Sequence, residues 1–362
     1  MNYTETIKIS FFIFPVIAML LTLPYMIHNY RKYGSINKIR TLIVFSFILY
    51  LENCYLLVIL PLPKQVLERD FLDSIQIIPF SFIRDFIKLN PLFNGSTNIK
   101  KILFDKTVYV PLFNILMTIP FGMYLRYYYK LSLKKIIFYS AALSAFFELT
   151  QLTGLYFIYK YPYRLCDIDD IIQNTTGGII GYFIATLPIK YLPSREKIDE
   201  KSYEIGDKVP GIRRLFSYMI DLIFIIILTI LIENIFRFRY SFTIAFIFYF
   251  SVLPIFKGRT MGTKYMKFRI EFEKNRIFNT LIRGVLMYVF IMLVPNFMFK
   301  INNYLAPKGN IIFIICLILI GISYFIYFIN MIYRLLTNKE LLFDRFIHTK
   351  YVNEVYKKDI HE

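Results

Sequence analysis

Long apolar runs alternate with short polar connections along the whole chain. The runs cover residues 7–27, 41–62, 108–128, 136–157, 169–188, 215–235, 242–256, 284–299 and 311–333. An α-helix needs about 20 consecutive apolar residues to cross the hydrocarbon core of a bilayer, and most of the runs are that long. The pattern therefore predicts an all-α, polytopic integral membrane protein with about nine transmembrane helices in two helical domains.

A polar, charged segment between the fifth and sixth runs marks the boundary between the two domains, because linkers are typically polar and exposed. We expect an N-terminal transmembrane helix with a basic cytoplasmic loop at residues 1–40, a first transmembrane domain at 41–190, a charged cytoplasmic linker at 191–208, a second transmembrane domain at 209–352 and a charged tail at 353–362. The long connection at residues 64–106 contains an amphipathic stretch that suits the membrane interface.

The formal net charge of +18 is concentrated in the loops rather than on one face or stripe. This distribution is typical of the positive-inside rule and not of a nucleic-acid-binding protein, so we expect membrane lipids and no nucleic acid as partners. Placing the basic loops in the cytoplasm puts the N-terminus outside and the C-terminus inside. This orientation puts residues 164–170 on the outer side of the membrane.

The few cysteines and histidines are widely separated, which argues against a disulfide framework and against a zinc site. No serine or cysteine forms an evident pair with a histidine, so the sequence offers no activated nucleophile. We therefore expect no enzymatic activity, no metal and no other cofactor. The enzymatic alternative depends on a hard metal ion held by the acidic cluster described next.

Four charged residues, Arg164, Asp167, Asp169 and Asp170, cluster at the start of the fifth run. If the run is helical, Asp167 and Asp170 share one face with Asn174, because these residues recur at steps of three and four. Carboxylates are stabilised at a helix N-terminus by the positive end of its dipole. A polar cluster at the mouth of a membrane helix is the first candidate site.

Small residues continue the same face and indicate close packing with another helix. Gly177, Gly178 and Gly181 lie about two to three turns below Asp170, and the third run contributes Asn114, Pro120 and Gly122 to the predicted packing seam.

Two further polar residues, Glu148 and Gln151, lie inside the fourth run and share a helix face. Ionisable groups within a membrane are costly and usually face the interior of the helix bundle. We expect the fork-shaped guanidinium of Arg164 to hold the Glu148 carboxylate. A structural network without a ligand, a headgroup-binding site and an ion pathway all remain open at this stage. Glu52 in the second run is a weaker candidate for the same cavity.

In the second half, Arg214 and Asp221 are two helical turns apart and so share one face. A buried Asp221 needs a partner, for which Arg283 and Arg345 are available on the same side. The pair serves either helix packing or a coupling-ion site.

Residues 42–188 resemble the VanZ-like family. The resemblance is carried by Asn114, Pro120-Phe121-Gly122, Glu148 and Gln151, and by Arg164-x-x-Asp167-x-Asp169-Asp170-x-x-x-Asn174-x-x-Gly177-Gly178-x-x-Gly181. Residues 209–352 are similar to an RDD family domain, on the strength of Arg214 with Asp221, the segment Gly258-Arg259-Thr260-Met261-Gly262-Thr263-Lys264, and Asp344-Arg345 with Thr349.

The first resemblance implies an envelope protein of a kind associated with low-level resistance to teicoplanin-type glycopeptides in Gram-positive bacteria. The second implies a domain of which some examples are associated with sodium/proton exchange. We expect a non-enzymatic membrane protein that binds an outer-leaflet lipid, a cell-wall precursor or a lipoglycopeptide near Glu148, Arg164, Asp167 and Asp170. The alternative is a cation/proton transporter that uses Glu148 or Asp221.

Overall fold

The computed structural model describes residues 3–63, 68, 70–95, 97–189, 191–238, 240–272, 275–305 and 311–355. Most of the predicted charged tail, from residue 356, lies outside the described residues, as do residues 64–67 of the long connection. The protein is 75% helical, which confirms the predicted all-α class.

Each of the nine predicted runs is largely helical. In the first half the helices are α1 (Tyr3–Tyr33), α2 (Lys38–Ile59), α3 (Ser81–Leu89), α4 (Ile99–Leu103), α5 (Lys106–Tyr127), α6 (Leu133–Leu152), the irregular turn α7 (Gly154–Phe157), α8 (Ile168–Ile184) and α9 (Thr186–Ile189). The second half contains α10 (Arg195–Gly206), α11 (Gly211–Phe236), α12 (Ser241–Ile247), α13 (Leu253–Lys257), α14 (Met261–Tyr265), α15 (Arg276–Tyr288), α16 (Val294–Leu305), α17 (Ile311–Leu336) and α18 (Leu342–Phe346). Short π-helical segments, Phe248–Val252 and Val289–Leu293, join α12 to α13 and α15 to α16.

Within the described residues, six helices are long and apolar enough to cross a membrane: α1, α2, α5, α11, α15 with its π-helical extension, and α17. Large apolar side chains are widely exposed on these helices, for example Phe12 (82% exposed) and Met19 (80%) on α1. Lipid tails solvate such surfaces, so the exposure is consistent with a multi-pass membrane protein.

The described chain forms two compact units. The first comprises Met1–Leu20 and Ile39–Lys197, and the second comprises Leu21–Lys38 and Ile198–Glu362. Helix α1 therefore contributes to both units. The boundary near residue 197 falls inside α10, so the segment predicted to be a linker is largely helical.

In the first unit, α8 packs closely against α5 and α6 through its glycines. A Cβ atom on Gly177 would lie 2.1 Å from the carbonyl oxygen of Ile115, and one on Gly181 would lie 2.1 Å from that of Ile119. Gly122 of α5 faces the carbonyl oxygen of Gly178, which an added Cβ would approach to the same distance. Any larger residue would force these helices apart.

A two-residue parallel sheet connects the long loop of the first unit to the start of α8. Strand β1 (Ile75–Gln76) pairs with β2 (Cys166–Asp167), with Gln76 opposite Asp167. This pairing brings α3 next to the N-terminus of α8.

The second unit packs α11 against α12, α14 and α17. Its core contains large apolar side chains, among them Ile225, Phe246, Phe250, Met287 and Phe343. Strand β3 (Phe268–Phe272) pairs antiparallel with β4 (Thr349–Asn353), and this small sheet ties the segment after α18 to the segment after α14.

Candidate functional site

A cavity of about 390 Å³ lies in the first unit, at the end where α8 begins. Its polar lining consists of Thr6, Asn114, Glu148, Gln151, Arg164, Asp170 and Asn174. Its apolar lining consists of Leu57, Val58, Leu60, Pro61, Val110, Phe113, Met117 and Phe147. The cavity therefore brings together six of the residues that the sequence singles out.

Two carboxylates line the cavity, and each is held by one hydrogen bond. Oε2 of Glu148, which is 3% exposed, accepts from the backbone N–H of Asp167 at 2.8 Å. Oδ1 of Asp170 accepts from the side-chain amide of Asn114 at 2.7 Å. Among the hydrogen bonds of the described residues, the second oxygen of each carboxylate has no protein donor, so both groups can still accept from a ligand.

The Arg164 guanidinium points to the C-terminal end of α2 rather than to Glu148. It donates to the carbonyl oxygens of Val58 at 3.0 Å and Leu60 at 3.3 Å. Gln151 donates to the same Val58 oxygen at 3.1 Å. The last carbonyls of a helix have no partner inside the helix and carry its negative dipole end, so they attract a cation.

The predicted Arg164–Glu148 ion pair is therefore wrong: the salt bridges between described residues do not join these two side chains. Arg164 still lines the cavity, where it is the one cation beside two carboxylates among the described lining residues.

Asp167 and Asp169 have structural contacts and are not among the cavity-lining residues. Oδ1 of Asp167 accepts from the backbone N–H of Asp169 at 2.8 Å and so caps α8. It also accepts from Gln76 at 3.2 Å. Burial and the neighbouring Asp169 charge raise the pKa of Asp167 above its usual range.

Asp169, only 2% exposed, belongs to the amphipathic helix α3 as much as to α8. Its Oδ1 accepts from the backbone N–H of Phe80 at 2.6 Å. Its Oδ2 accepts from the Ser81 hydroxyl at 2.6 Å and from the backbone N–H of Phe82 at 2.9 Å. Three donors satisfy this carboxylate, so it anchors the first turn of α3.

Asn174 is a buried polar residue beside the cavity whose side chain is only partly hydrogen-bonded. Its side chain is 3% exposed and lines the cavity, and its amide N–H donates to the Ser144 hydroxyl at 2.8 Å. Its side-chain oxygen has no hydrogen-bond partner among the described residues. A buried acceptor without a partner costs about 1–3 kcal/mol, which a ligand that donates a hydrogen bond would recover.

Sequence reasoning missed three residues that hold this network. Thr118 donates to the backbone oxygen of Asn174 at 2.7 Å, and Gln173 accepts from Asn114 at 3.0 Å. The third residue, Ser144, accepts a hydrogen bond from the Asn174 side chain. Helical spacing would have found two of them, because Thr118 is four residues after Asn114 and Ser144 is four residues before Glu148.

The buried acid of the second unit, Asp221, is fully enclosed by neutral donors. It accepts from the Tyr249 hydroxyl at 2.7 Å, the Thr260 hydroxyl at 2.8 Å and the backbone N–H of Gly262 at 2.6 Å. The π-helical segment that contains Tyr249 places this hydroxyl on the acid.

The expectation that Arg283 or Arg345 pairs with Asp221 is wrong. Arg283 forms a buried ion pair with Asp344, with Nε 2.8 Å from Oδ1, and Arg345 is exposed. Arg214 donates to the carbonyl oxygen of Lys339 at 2.9 Å.

Sequence reasoning also overlooked Arg213, which is fully buried. It donates to the carbonyl oxygens of Met266 at 2.9 Å and Lys267 at 2.6 Å, and to the Asn353 side chain at 3.0 Å. Because Arg213 is adjacent to Arg214, the sequence does not indicate that the two side chains have different hydrogen-bond partners.

Except for Thr6, all the residues that line the cavity and the glycine-packed helices around it fall within one recognisable family segment. Residues 47–189 match the model of the VanZ/LLP1 family. At the level of the family, this match is consistent with a multi-pass membrane protein of the cell envelope and with a link to glycopeptide resistance. The match does not extend to residues 209–352, so the RDD resemblance stays a prediction. Neither the curated proteins nor the solved structures include a match to this chain.

Proposed function

We propose that the VanZ-type segment binds the polar headgroup of an amphiphile in the cavity of the first unit and thereby contributes to resistance to teicoplanin-type glycopeptides. The ligand is an outer-leaflet lipid, a cell-wall precursor or the lipoglycopeptide itself, and the protein acts by binding rather than by catalysis. The observation that carries the proposal is the pair of half-satisfied carboxylates, Glu148 and Asp170, that line one cavity, with the buried, unpaired side-chain oxygen of Asn174 beside them.

The charges around the cavity favour a ligand rich in hydrogen-bond donors. Glu148 and Asp170 together offer two free carboxylate oxygens, and Asn174 offers a third acceptor. Arg164 is the one cation of the described lining, and two of its N–H groups already bind carbonyls of α2. Hydroxyl and amino groups match this lining, whereas an additional carboxylate or phosphate would face like charge.

The size and the apolar wall of the cavity suit the remainder of an amphiphile. Its volume of about 390 Å³ lies within the range of about 300–1,000 Å³ that is typical of ligand pockets. Phe113, Met117 and Phe147 supply an apolar part of the lining, where they can contact alkyl or ring carbons.

A susceptibility assay tests the proposal. A sensitive Gram-positive host expresses the wild type, Glu148→Gln, Asp170→Asn or the exposed control Glu340→Gln at equal membrane levels. We expect the wild type and Glu340→Gln to protect against teicoplanin more than against vancomycin. Both cavity variants should lose that protection, because each removes the negative charge of an acceptor that lines the cavity.

Protection that survives in Asp170→Asn and Glu148→Gln would overturn the cavity as the site of action. Absence of protection by the wild type would remove the glycopeptide part of the proposal.

The alternative function, cation/proton transport, draws support from the same pair of carboxylates, because two acids beside one arginine also suit a cation. Asp221 supports it less, since three neutral donors already satisfy that carboxylate. Sodium-dependent proton flux in reconstituted vesicles that is lost in Glu148→Gln would favour transport over headgroup binding.

A further inference from the structure

We propose that the second unit binds an anionic phospholipid in a basic groove beside the C-terminal half of α1. The groove, of about 1060 Å³, is lined by Arg31, Lys32, His28, Lys267, Tyr203, Tyr265, Glu354, Leu23, Pro24, Ile27 and Val355. This site is independent of the cavity in the first unit and of the function proposed for it.

The charge of the groove is positive and suits a phosphate. Arg31, Lys32 and Lys267 are exposed and line it. Of its lining residues that the structure describes, Glu354 is the one acid, and its carboxylate forms an ion pair with Arg259. The three cations therefore face a groove whose one described acidic lining residue is already paired. Arginine and lysine are the side chains that bind phosphate groups most effectively.

The surroundings hold the Arg31 side chain and the Lys267 backbone in place. The Arg31 guanidinium lies over the Tyr265 ring at 4.2 Å from its centre, a cation–π contact. The backbone of Lys267 is fixed because its carbonyl oxygen accepts from buried Arg213 at 2.6 Å and from the backbone N–H of Glu354 at 2.9 Å. A site whose cations are positioned in advance loses less entropy when a ligand binds.

The apolar part of the groove indicates a lipid rather than a free phosphate ion. Leu23, Pro24 and Ile27 form the wall contributed by α1, which is long and apolar enough to cross a membrane. Arg31 and Lys32 follow these positions in the last turn of the same helix. An acyl chain lying along α1 would thus place its phosphate among the cations, the arrangement expected of basic pockets that recognise anionic lipids.

Native mass spectrometry of the full chain tests this inference. Protein delipidated in a neutral detergent is titrated with phosphatidylglycerol or phosphatidylcholine of the same acyl chains. We expect the wild type to bind one phosphatidylglycerol about tenfold or more tightly than phosphatidylcholine, because the site offers several cations to the phosphate. The double variant R31Q/K267Q should lose that preference, and R31K/K267R should retain it.

A matched control, K264Q/R345Q, removes the same number of charges from exposed residues outside the lining and should bind like the wild type. If this control lost the preference for phosphatidylglycerol to the same extent, the site would be overturned, because the preference would then depend on net charge alone. Equal binding of the two lipids by the wild type would do the same. Inorganic phosphate at matched ionic strength should not displace the lipid, and displacement would assign the groove to free phosphate instead.

Discussion

The two units bury polar groups in different ways. In the second unit, Arg283 and Asp344 neutralise each other, and Asp221 is satisfied by three donors. In the first unit, Glu148 and Asp170 each keep a free oxygen, and Asn174 has an unpaired one, beside a cavity. The arrangement in the second unit is closed, and the one in the first unit is open.

This difference separates buried charge as a structural device from buried charge as a site. Ion-pair networks that hold helices together perturb and bury the same residue types as binding sites do. Of these two sets, only the open one has acceptors for a ligand and space to admit it.

Breaking the closed ion pair should cost the most stability. Asp344→Ala leaves the Arg283 guanidinium buried without its carboxylate, which typically costs about 3–5 kcal/mol. The free energy of unfolding in detergent should fall by that amount. The exposed neighbour provides the control: Arg345→Ala should change stability by less than about 0.5 kcal/mol. Similar losses in both variants would contradict the assignment of Asp344 to a buried pair.

Filling the glycine seam of the first unit should have an intermediate effect. A Cβ on Gly177 would lie 2.1 Å from the Ile115 carbonyl oxygen and 2.2 Å from the Thr118 hydroxyl. Gly177→Ala should therefore destabilise the protein by about 1–3 kcal/mol through overpacking. Gly321→Ala in α17 is the control, because a Cβ added there would meet no described atom within 4 Å, and it should be neutral or stabilising. Unchanged stability in Gly177→Ala would refute the close approach of α5 and α8.

Two adjacent aspartates offer the finest comparison. Asp169→Ala removes the acceptor of three hydrogen bonds at the start of α3, and losses of such caps cost about 0.5–2 kcal/mol. Amide hydrogen exchange in Ser81–Leu89 should accelerate in this variant. Asp170→Asn should leave exchange there unchanged, since the Asp170 carboxylate binds Asn114 and not α3. Equal acceleration in both variants would contradict the distinction between Asp169, which anchors α3, and Asp170, which lines the cavity.

The sequence was sufficient to predict the helical class, because bilayer thickness fixes the length of an apolar run. It also brought Glu148, Arg164, Asp170 and Asn174 into one candidate region. The roles within that region could not be predicted, since they depend on contacts distant in sequence. Asp169 binds residues 80–82 only because β1 pairs with β2, and helical spacing alone does not distinguish it from Asp170.

The partner of Arg164 was mispredicted for a similar physical reason. Opposite charge and the fork shape of the guanidinium suggest Glu148, but the unpaired carbonyls at the end of α2 compete for the guanidinium. In the second unit, Asp221 found hydroxyl and backbone donors instead of an arginine. Both predictions were wrong because they paired side chains of opposite charge and did not consider neutral hydrogen-bonding groups.

Because the chain contains no tryptophan, a tryptophan introduced into the cavity gives the most direct test of whether the cavity binds a headgroup. Phe113→Trp places a single tryptophan in the cavity lining, and Phe256→Trp, at a residue that is 82% exposed in the second unit, serves as the control. Each protein is titrated in detergent with an alkyl glucosaminide, whose headgroup carries amino and hydroxyl donors. The alkyl glucuronide of the same chain length, which carries a carboxylate instead of the amine, is the comparison ligand.

If the cavity binds a donor-rich headgroup, we expect a saturable change in Phe113→Trp fluorescence with the glucosaminide. The change should be much weaker with the glucuronide and absent in the control. Adding Asp170→Asn to the reporter should weaken glucosaminide binding, since the substitution removes the negative charge that attracts the amine. Equal responses to both ligands, or a response that Asp170→Asn leaves unchanged, would contradict the claim that the cavity binds a donor-rich headgroup.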